Sequence, residues 1–306
     1  MFLPKNNLFI KAKESKYLAN IILGPTLALL MIIFGQILGE FLIPIIYNPF
    51  DKLASFLNLS PNFANLFLEH ILLTLPTILM VFLWVKLIEK RKFSSIGFTI
   101  NNFIIKYLKG FFIGLLMMTS TVALLYLFGS VAVDNTPKQA IGTFALSNVL
   151  LIIPAWIIQS ANEEIVVRGW LMNILGARYT PVVGLIVSSV FFGVVHLANP
   201  GITFIAVLNI ILVGLFLGMY VIKTNDLWGV CGIHAAWNFS QGNVFGFEVS
   251  GGKALIGSIF DLKLKGSDFI SGGIFGPEAG ICATIVLTVC AIIIAINLKN
   301  KKILND

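Results

Sequence analysis

Residues 162–170 read NEEIVVRGW and place Glu163, Glu164 and Arg168 inside an otherwise apolar run that begins near Ala145. On insertion scales, a charged residue near the centre of a membrane helix costs roughly 2.5 to 3.5 kcal/mol. Three such residues in one hydrophobic helix therefore need partners, a water-filled cavity, or both. The stretch predicts a functional site inside a membrane, and the rest of the chain is interpreted around it.

The composition of the whole chain agrees with a membrane setting. Of its 306 residues, 58% are hydrophobic and 11% are charged, and the mean hydropathy is +0.94. These values exclude an ordinary soluble domain and predict a polytopic membrane protein. The net charge of +7 comes from basic residues near the chain ends and in one loop, so it indicates membrane orientation and no nucleic-acid partner. These residues include Lys5, Lys11, Lys13, Lys16, Lys86, Lys90, Arg91, Lys92, Lys106, Lys109, Lys299, Lys301 and Lys302.

The apolar runs predict an all-α fold, a polytopic membrane bundle of about eight transmembrane helices, because a spanning helix needs about 20 apolar residues. An even number of spans returns the C-terminus to the side of the N-terminus. Both Lys-rich termini are therefore predicted to be cytoplasmic, together with the loop that holds Lys90, Arg91 and Lys92. The predicted spans are about 19–46, 66–88, 108–133, 146–174, 181–198, 203–222, 227–247 and 279–298.

Glycines spaced by four residues recur in the predicted spans. Such pairs let helix backbones approach closely in lipid, so they predict a compact bundle and carry no chemistry of their own. The pairs are Gly35 with Gly39, Gly110 with Gly114, and Gly214 with Gly218.

Two of the three histidines, His196 and His234, lie in predicted membrane helices. His234 and Asn238 are four residues apart and so project from one helix face, which a bundle turns inward and away from lipid. Phe192 and His196 have the same spacing. Two imidazoles, an amide and two carboxylates are therefore expected to converge on one interior cavity. His70 is instead expected to have a packing role near the membrane interface.

The spacing also separates the two glutamates of the opening stretch. Glu164 lies four residues before Arg168, the favourable orientation for a helical ion pair. Glu163 is about 100° round the helix and stays available as a general base that faces water. It meets the histidines only if its helix is long, with Pro154 as the kink. The structural alternative is a buried polar network that only clamps helices together.

Three motifs occur in order on separate predicted helices: E-E-x-x-x-R at Glu163, Glu164 and Arg168, F-x-x-x-H at Phe192 and His196, and H-x-x-x-N at His234 and Asn238. Together they resemble the CPBP family of intramembrane proteases. That family includes the type II CAAX prenyl endopeptidases and the bacterial Abi proteins linked to bacteriocin processing and self-immunity. The resemblance covers about residues 148–247 well and is vague over the first 90. Val167 departs from the family, where an aromatic is common, and predicts a change in packing.

The resemblance implies hydrolysis of a peptide bond within or at the membrane. Carried over by position, Glu163 and His196 would activate the attacking water, and His234 and Asn238 would stabilise the oxyanion. The chain is then one membrane domain, 1–306, with a protease core at about 145–298 and variable N-terminal helices at about 17–135. Two further motif residues would support the site by holding their helix in register: Glu164 and Arg168.

A metal is an alternative for activating the water. Glu163, His196 and His234 are acceptable zinc ligands, and a bound zinc lowers the pKa of its water to about 7. On this logic the family has been called metalloproteases. The H-E-x-x-H motif is absent, however, and a carboxylate with an imidazole activates water without a metal. The metal-free chemistry is slightly favoured.

The first functional hypothesis is thus an integral-membrane endopeptidase acting on a membrane-associated peptide or protein tail. The alternative is a non-catalytic membrane binding or immunity protein that retains the fold. A small-solute transporter is less favoured, because no array of ion-coupling residues is evident. Richness in Lys, Asn and Ile is typical of an AT-rich bacterial genome, so the predicted location is a bacterial plasma membrane. The predicted substrates are a peptide pheromone, a bacteriocin precursor or a membrane-protein tail, with prenylation not required.

Overall fold

The computed structural model describes residues 7–137, 139–253 and 256–300, and these residues form an all-α membrane bundle, as predicted. The helices are α1 (Asn7–Lys13), α2 (Leu23–Phe56), α3 (Phe63–Leu72), α4 (Leu75–Leu83), α5 (Phe103–Leu127), α6 (Leu146–Leu151), α7 (Ile153–Glu164), α8 (Asn173–Arg178), α9 (Pro181–Val195), α10 (Phe204–Thr224), α11 (Trp228–Phe239), α12 (Asp268–Ser271) and α13 (Ile281–Asn300). Three π-helical segments continue these helices: Trp84–Ile88 after α4, Ile165–Met172 between α7 and α8, and Ser240–Val244 after α11.

Five helices of the described chain are long and apolar enough to cross a membrane, and a sixth span is formed if one bent pair counts as a single crossing. The bent pair is Gly142–Leu151 with Ile153–Arg178, at 48°. Every predicted span coincides with a helix, but α9 has only 15 residues and α11 only 12 before its π-helical turn. The count of eight spans therefore stays a prediction.

Local signals set the ends of the helices on either side of the site. The Thr180 hydroxyl accepts a hydrogen bond from the backbone N–H of Val183 (3.2 Å), and Pro181 occupies the first turn of α9. Both features favour a helix start. Thr203 caps α10 in the same way, and Asn225 ends that helix in a left-handed conformation. The short α9 is thus fixed at its beginning, and its last turn leads directly to His196.

The glycine pairs bring helices into backbone contact, as predicted. A Cβ atom added to Gly110 would lie 1.9 Å from the carbonyl oxygen of Gly229, and one added to Gly114 would lie 2.1 Å from that of Ile233. No side chain fits these spaces, so α5 packs directly on α11. The partner residue Ile233 immediately precedes His234, and this contact therefore fixes the depth of a site histidine.

A small sheet forms outside the spans. β1 (Val131–Val133) pairs antiparallel with β2 (Leu262–Leu264), with Val131 opposite Leu264. The prediction that the third span continues to residue 133 was wrong, since α5 ends at Leu127 and Gly129 turns the chain at φ 66°. Beside β1, the backbone N–H of Thr136 and then the Lys263 ammonium hold the pKa of Asp134 below its usual range.

One residue of the predicted basic loop is buried. Arg91 Nε donates to Glu89 Oε2 at 2.5 Å, and both side chains are almost fully excluded from solvent. The indole N–H of Trp170 donates to Glu89 Oε1 at 2.8 Å. The loop is thereby fixed to the helix that carries the opening stretch, and Arg91 is part of the fold as well as of the charge bias. Three other predicted cytoplasmic charges lie outside the described residues: Lys5, Lys301 and Lys302.

Candidate active site

Glu163 and Glu164 end α7, and the π-helical segment Ile165–Met172 follows them. The helix that carries them is long, because α7 continues through this segment into α8, and its bend lies beside Pro154. Both conditions for convergence were predicted. Segments of π-helix are frequent at functional sites, since the wider turn changes the direction of the side chains that follow.

The Glu163 carboxylate lies between two imidazoles, as predicted. Its Oε2 is 3.9 Å from Nε2 of His196 and 3.8 Å from Nε2 of His234. The three side chains are 24%, 13% and 12% exposed, so the group is recessed, and the Oε2 atom itself is buried. Within the described chain Oε2 has no hydrogen-bond partner. A carboxylate oxygen is thus left available between two ring nitrogens.

Gln159 is a site residue that the sequence reasoning missed. Its amide N–H donates to Oε1 of Glu163 at 2.5 Å, and its amide oxygen accepts from Nδ2 of Asn238 at 3.0 Å. It therefore orients the carboxylate and joins Asn238 to it. The signal was present, because Gln159 precedes Glu163 by four residues and so shares its helix face.

Glu164 has two partners. Its Oε1 accepts from Arg168 at 2.8 Å, the predicted ion pair, and both side chains are fully buried. The same oxygen accepts from Nδ1 of His234 at 2.8 Å, a contact that was not predicted. Because an ionised carboxylate only accepts hydrogen bonds, Nδ1 of His234 carries a proton, and Nε2 is the nitrogen nearest Glu163.

Phe192 connects the arginine to the second histidine. The Arg168 guanidinium lies 4.2 Å from the centre of the Phe192 ring, a cation–π distance. The Phe192 carbonyl accepts a hydrogen bond from Nδ1 of His196 at 2.7 Å, and the two rings are 4.7 Å apart. Nδ1 of His196 therefore carries a proton, and its Nε2 is the ring nitrogen nearest Glu163. The F-x-x-x-H spacing supplies both contacts.

Six of these residues line a cavity of about 520 Å³: Gln159, Glu163, Phe192, His196, His234 and Asn238. Glu164 lies behind its wall, so the expectation that both glutamates converge on the cavity is met by Glu163 alone. In another part of the wall, Glu278 accepts from the backbone N–H of Ser250 at 2.6 Å and from its hydroxyl at 3.0 Å, while the indole N–H of Trp237 donates to the other oxygen at 3.2 Å. The loop around Ser250 is thereby held against α11. His70 also lines the cavity, with its ring edge-on to Trp156 at 4.3 Å, so packing alone does not describe its position.

The predicted zinc ligands do not fit a metal in this arrangement. Zinc bonds of about 2.0 to 2.2 Å place neighbouring tetrahedral ligands about 3.3 to 3.6 Å apart, whereas the Glu163 oxygen is 3.8 and 3.9 Å from the two ring nitrogens. Within the residues that the structure describes, no group of three or more His, Cys, Asp and Glu side chains is placed to hold a metal ion. No catalytic step is therefore derived through a metal.

Residues 143–240 match the family model described as "Type II CAAX prenyl endopeptidase Rce1-like". These residues are an Rce1-like domain. The domain covers about a third of the chain and contains every motif residue named above, from Glu163 to Asn238, and it supports the predicted resemblance to the CPBP family of intramembrane proteases. Neither curated proteins nor solved structures gave a match to the chain.

The Rce1-like domain supports a CAAX-type intramembrane protease, which has a peptide or protein as its substrate and is embedded in the membrane. Its long apolar helices agree with an integral membrane protein. The family match and the spans thus support the class of activity and its setting, and the roles of individual residues rest on the geometry.

Proposed function

We propose that this protein is an intramembrane endopeptidase in which Glu163 and His196 activate water and His234 and Asn238 stabilise the oxyanion. The observation that supports this proposal most directly is the position of Glu163 Oε2 within 4 Å of both Nε2 atoms, in the wall of a cavity. A clamp would be expected to pair these groups directly, but the distances exceed those of hydrogen bonds.

The first step is attack of water on the scissile carbonyl. Glu163 Oε2 and His196 Nε2 are 3.9 Å apart, and a water oxygen about 2.8 Å from both would satisfy the buried, unpartnered Oε2 atom. Glu163 takes a proton from this water as its oxygen bonds to the carbonyl carbon. The same proton is then passed to the leaving amine as the C–N bond breaks, which yields a new carboxyl group and a new amine. Gln159 keeps the base oxygen directed at the water throughout.

The second requirement is stabilisation of the negative charge on the tetrahedral intermediate. His234 donates to that oxygen through Nε2 only when both ring nitrogens carry protons. Glu164 accepts from Nδ1 and supplies the negative charge that favours this cation. Asn238, held by Gln159, offers the remaining amide N–H. Removing one such donor typically costs about 10² to 10³ in kcat.

The location of the cavity indicates from which side of the membrane the substrate enters. The cavity is lined by residues of the loops that follow α9 and α11, including Pro200 and Ser250, whereas the basic loop at Lys90 lies at the opposite ends of these helices. Under the positive-inside rule that basic end is cytoplasmic. We therefore assign both termini to the cytoplasm and the cavity mouth to the outer face, with a membrane-associated peptide or protein tail as substrate.

The decisive test is Glu163→Gln in the purified, full-length protein. Glutamine keeps the shape and cannot accept the proton, so cleavage of a membrane-anchored peptide is expected to fall by at least 10³-fold while the melting temperature changes by no more than 1 to 2 °C. Arg168→Ala should instead lower both the cleavage rate and the melting temperature. A stable Glu163→Gln protein that still cleaves would refute Glu163 as the general base, whereas no cleavage by the folded wild type would favour a non-catalytic binding or immunity role. Metal content and chelator sensitivity of the active protein test the metal-free step directly.

A further inference from the structure

The cavity extends from the proposed catalytic groups to a second polar region that the mechanism does not use. Trp156, Gln159 and Glu163 lie three, four and seven residues apart on α7, so they share one helix face, and all three line the cavity. The rise of a helix over seven residues is about 10 Å. The ring of His70 stands against Trp156, and Glu69 beside it also lines the cavity.

The Glu69 carboxylate is incompletely satisfied. It accepts one hydrogen bond, from Nδ2 of Asn65 at 2.7 Å. Among the described residues, no lysine or arginine forms an ion pair with it. By comparison, Glu278 in the same cavity holds three hydrogen bonds from protein groups. Glu69 therefore has capacity for a charged donor that the protein itself does not provide.

The groups around Glu69 also favour a cation. Nδ1 of His70 lies 2.8 Å from the Leu66 carbonyl oxygen and so carries the proton, which leaves Nε2 of the neutral ring as an acceptor. The indole of Trp156 adds an aromatic surface that attracts positive charge. The charged residues that line the cavity are three glutamates and only one lysine: Glu69, Glu163, Glu278 and Lys253.

We infer that Glu69, His70 and Trp156 form a specificity subsite for a lysine or arginine side chain of the substrate. An extended peptide advances about 3.3 Å per residue, so the rise of about 10 Å between Trp156 and Glu163 corresponds to about three residues from the scissile bond. The subsite rests on the proposed peptidase function and names the substrate class: a membrane-associated peptide with a basic residue near the cleaved bond.

The experiment uses the purified full-length protein in detergent micelles with short palmitoylated peptides of one sequence. Lysine, glutamine or glutamate is placed at each position in turn, and mass spectrometry identifies the cleaved bond and its rate. Lysine about three residues from that bond is expected to raise kcat/KM about tenfold over glutamine, the effect of a charge-assisted hydrogen bond. Glu69→Gln is expected to reduce this ratio to about one.

Two further variants separate recognition from folding. Glu69→Lys should reverse the preference toward glutamate peptides, an outcome that a merely damaged protein does not give. Glu14→Gln is the matched control, since Glu14 is exposed and does not line the cavity, and the preference for lysine should persist in it. No lysine preference in the wild type, or a preference that survives Glu69→Gln, would overturn the subsite.

Binding to Glu163→Gln protein distinguishes failure of the subsite from failure of the protease. Displacement of a fluorescent lysine peptide reports recognition without cleavage. Glu69-dependent preference for lysine in this assay, with no cleavage by the wild type, would keep the subsite and reject the protease. Glu163-dependent cleavage with equal binding of all peptides would keep the protease and reject the subsite.

Discussion

Neutralising Glu164 is expected to destabilise the protein and disable it by two separable routes. The Arg168 guanidinium is fully buried, and within the described chain its ion pair is with Glu164, at 2.8 Å. Glu164→Gln therefore leaves a buried cation without its counter-charge, which typically costs about 3 to 5 kcal/mol. At about 2 °C per kcal/mol, the melting temperature should fall by about 6 to 10 °C. The activity should also fall, because His234 loses the carboxylate on Nδ1.

The double variant Glu164→Gln, Arg168→Met separates the two effects. Replacing both members of a buried ion pair by neutral groups of similar volume is often neutral or stabilising. Most of the lost stability should therefore return. The activity should stay about 10² to 10³-fold below the wild type, because the cationic form of His234 still lacks its partner.

The assay is thermal unfolding in detergent, followed by peptide cleavage under conditions where every variant is folded. Arg168→Met alone provides the second single variant of the cycle, and it should lose stability by a similar amount. A double variant as unstable as either single variant would refute the charge-balance reasoning. A double variant with full activity would show that the contact of Glu164 with His234 has no role in the reaction.

Two further predictions concern residues that position the site. Gln159→Leu should lower kcat about 10 to 100-fold with a small change in melting temperature, because the Glu163 carboxylate and Asn238 both lose the side chain that holds them. Cleavage kinetics and a thermal unfolding curve of the variant measure this, and a kcat equal to that of the wild type would show that Gln159 is not part of the site. Gly114→Val should separate α5 from α11, because the added Cβ atom would lie 2.1 Å from the Ile233 carbonyl oxygen. The yield of folded protein and the cleavage activity are expected to fall. A melting temperature equal to that of the wild type would contradict the close packing.

Local spacing determined a large part of the site. The four-residue spacing predicted that Glu164 would pair with Arg168 and that His234 would share a helix face with Asn238, because side chains one helical turn apart lie on one face in any fold. Apolar length located the helices, and the glycine pairs predicted close helix packing, which the structure shows between α5 and α11. The same reasoning failed at residues 131–133, where strand pairing with a segment about 130 residues away overrides the local apolar pattern.

Tertiary structure alone decided how these local faces meet. The contact of Glu164 with His234 joins residues 70 positions apart, and that of Gln159 with Asn238 joins residues 79 positions apart. The sequence by itself determined which groups carry charge, which helix faces hold them and that they lie in a membrane. The approach of Glu163 to both histidines, and the position of Glu69 beside the same cavity, depend on the bend before α7 and on helix packing, because distances between separate helices are set by their contacts and not by the spacing within either one.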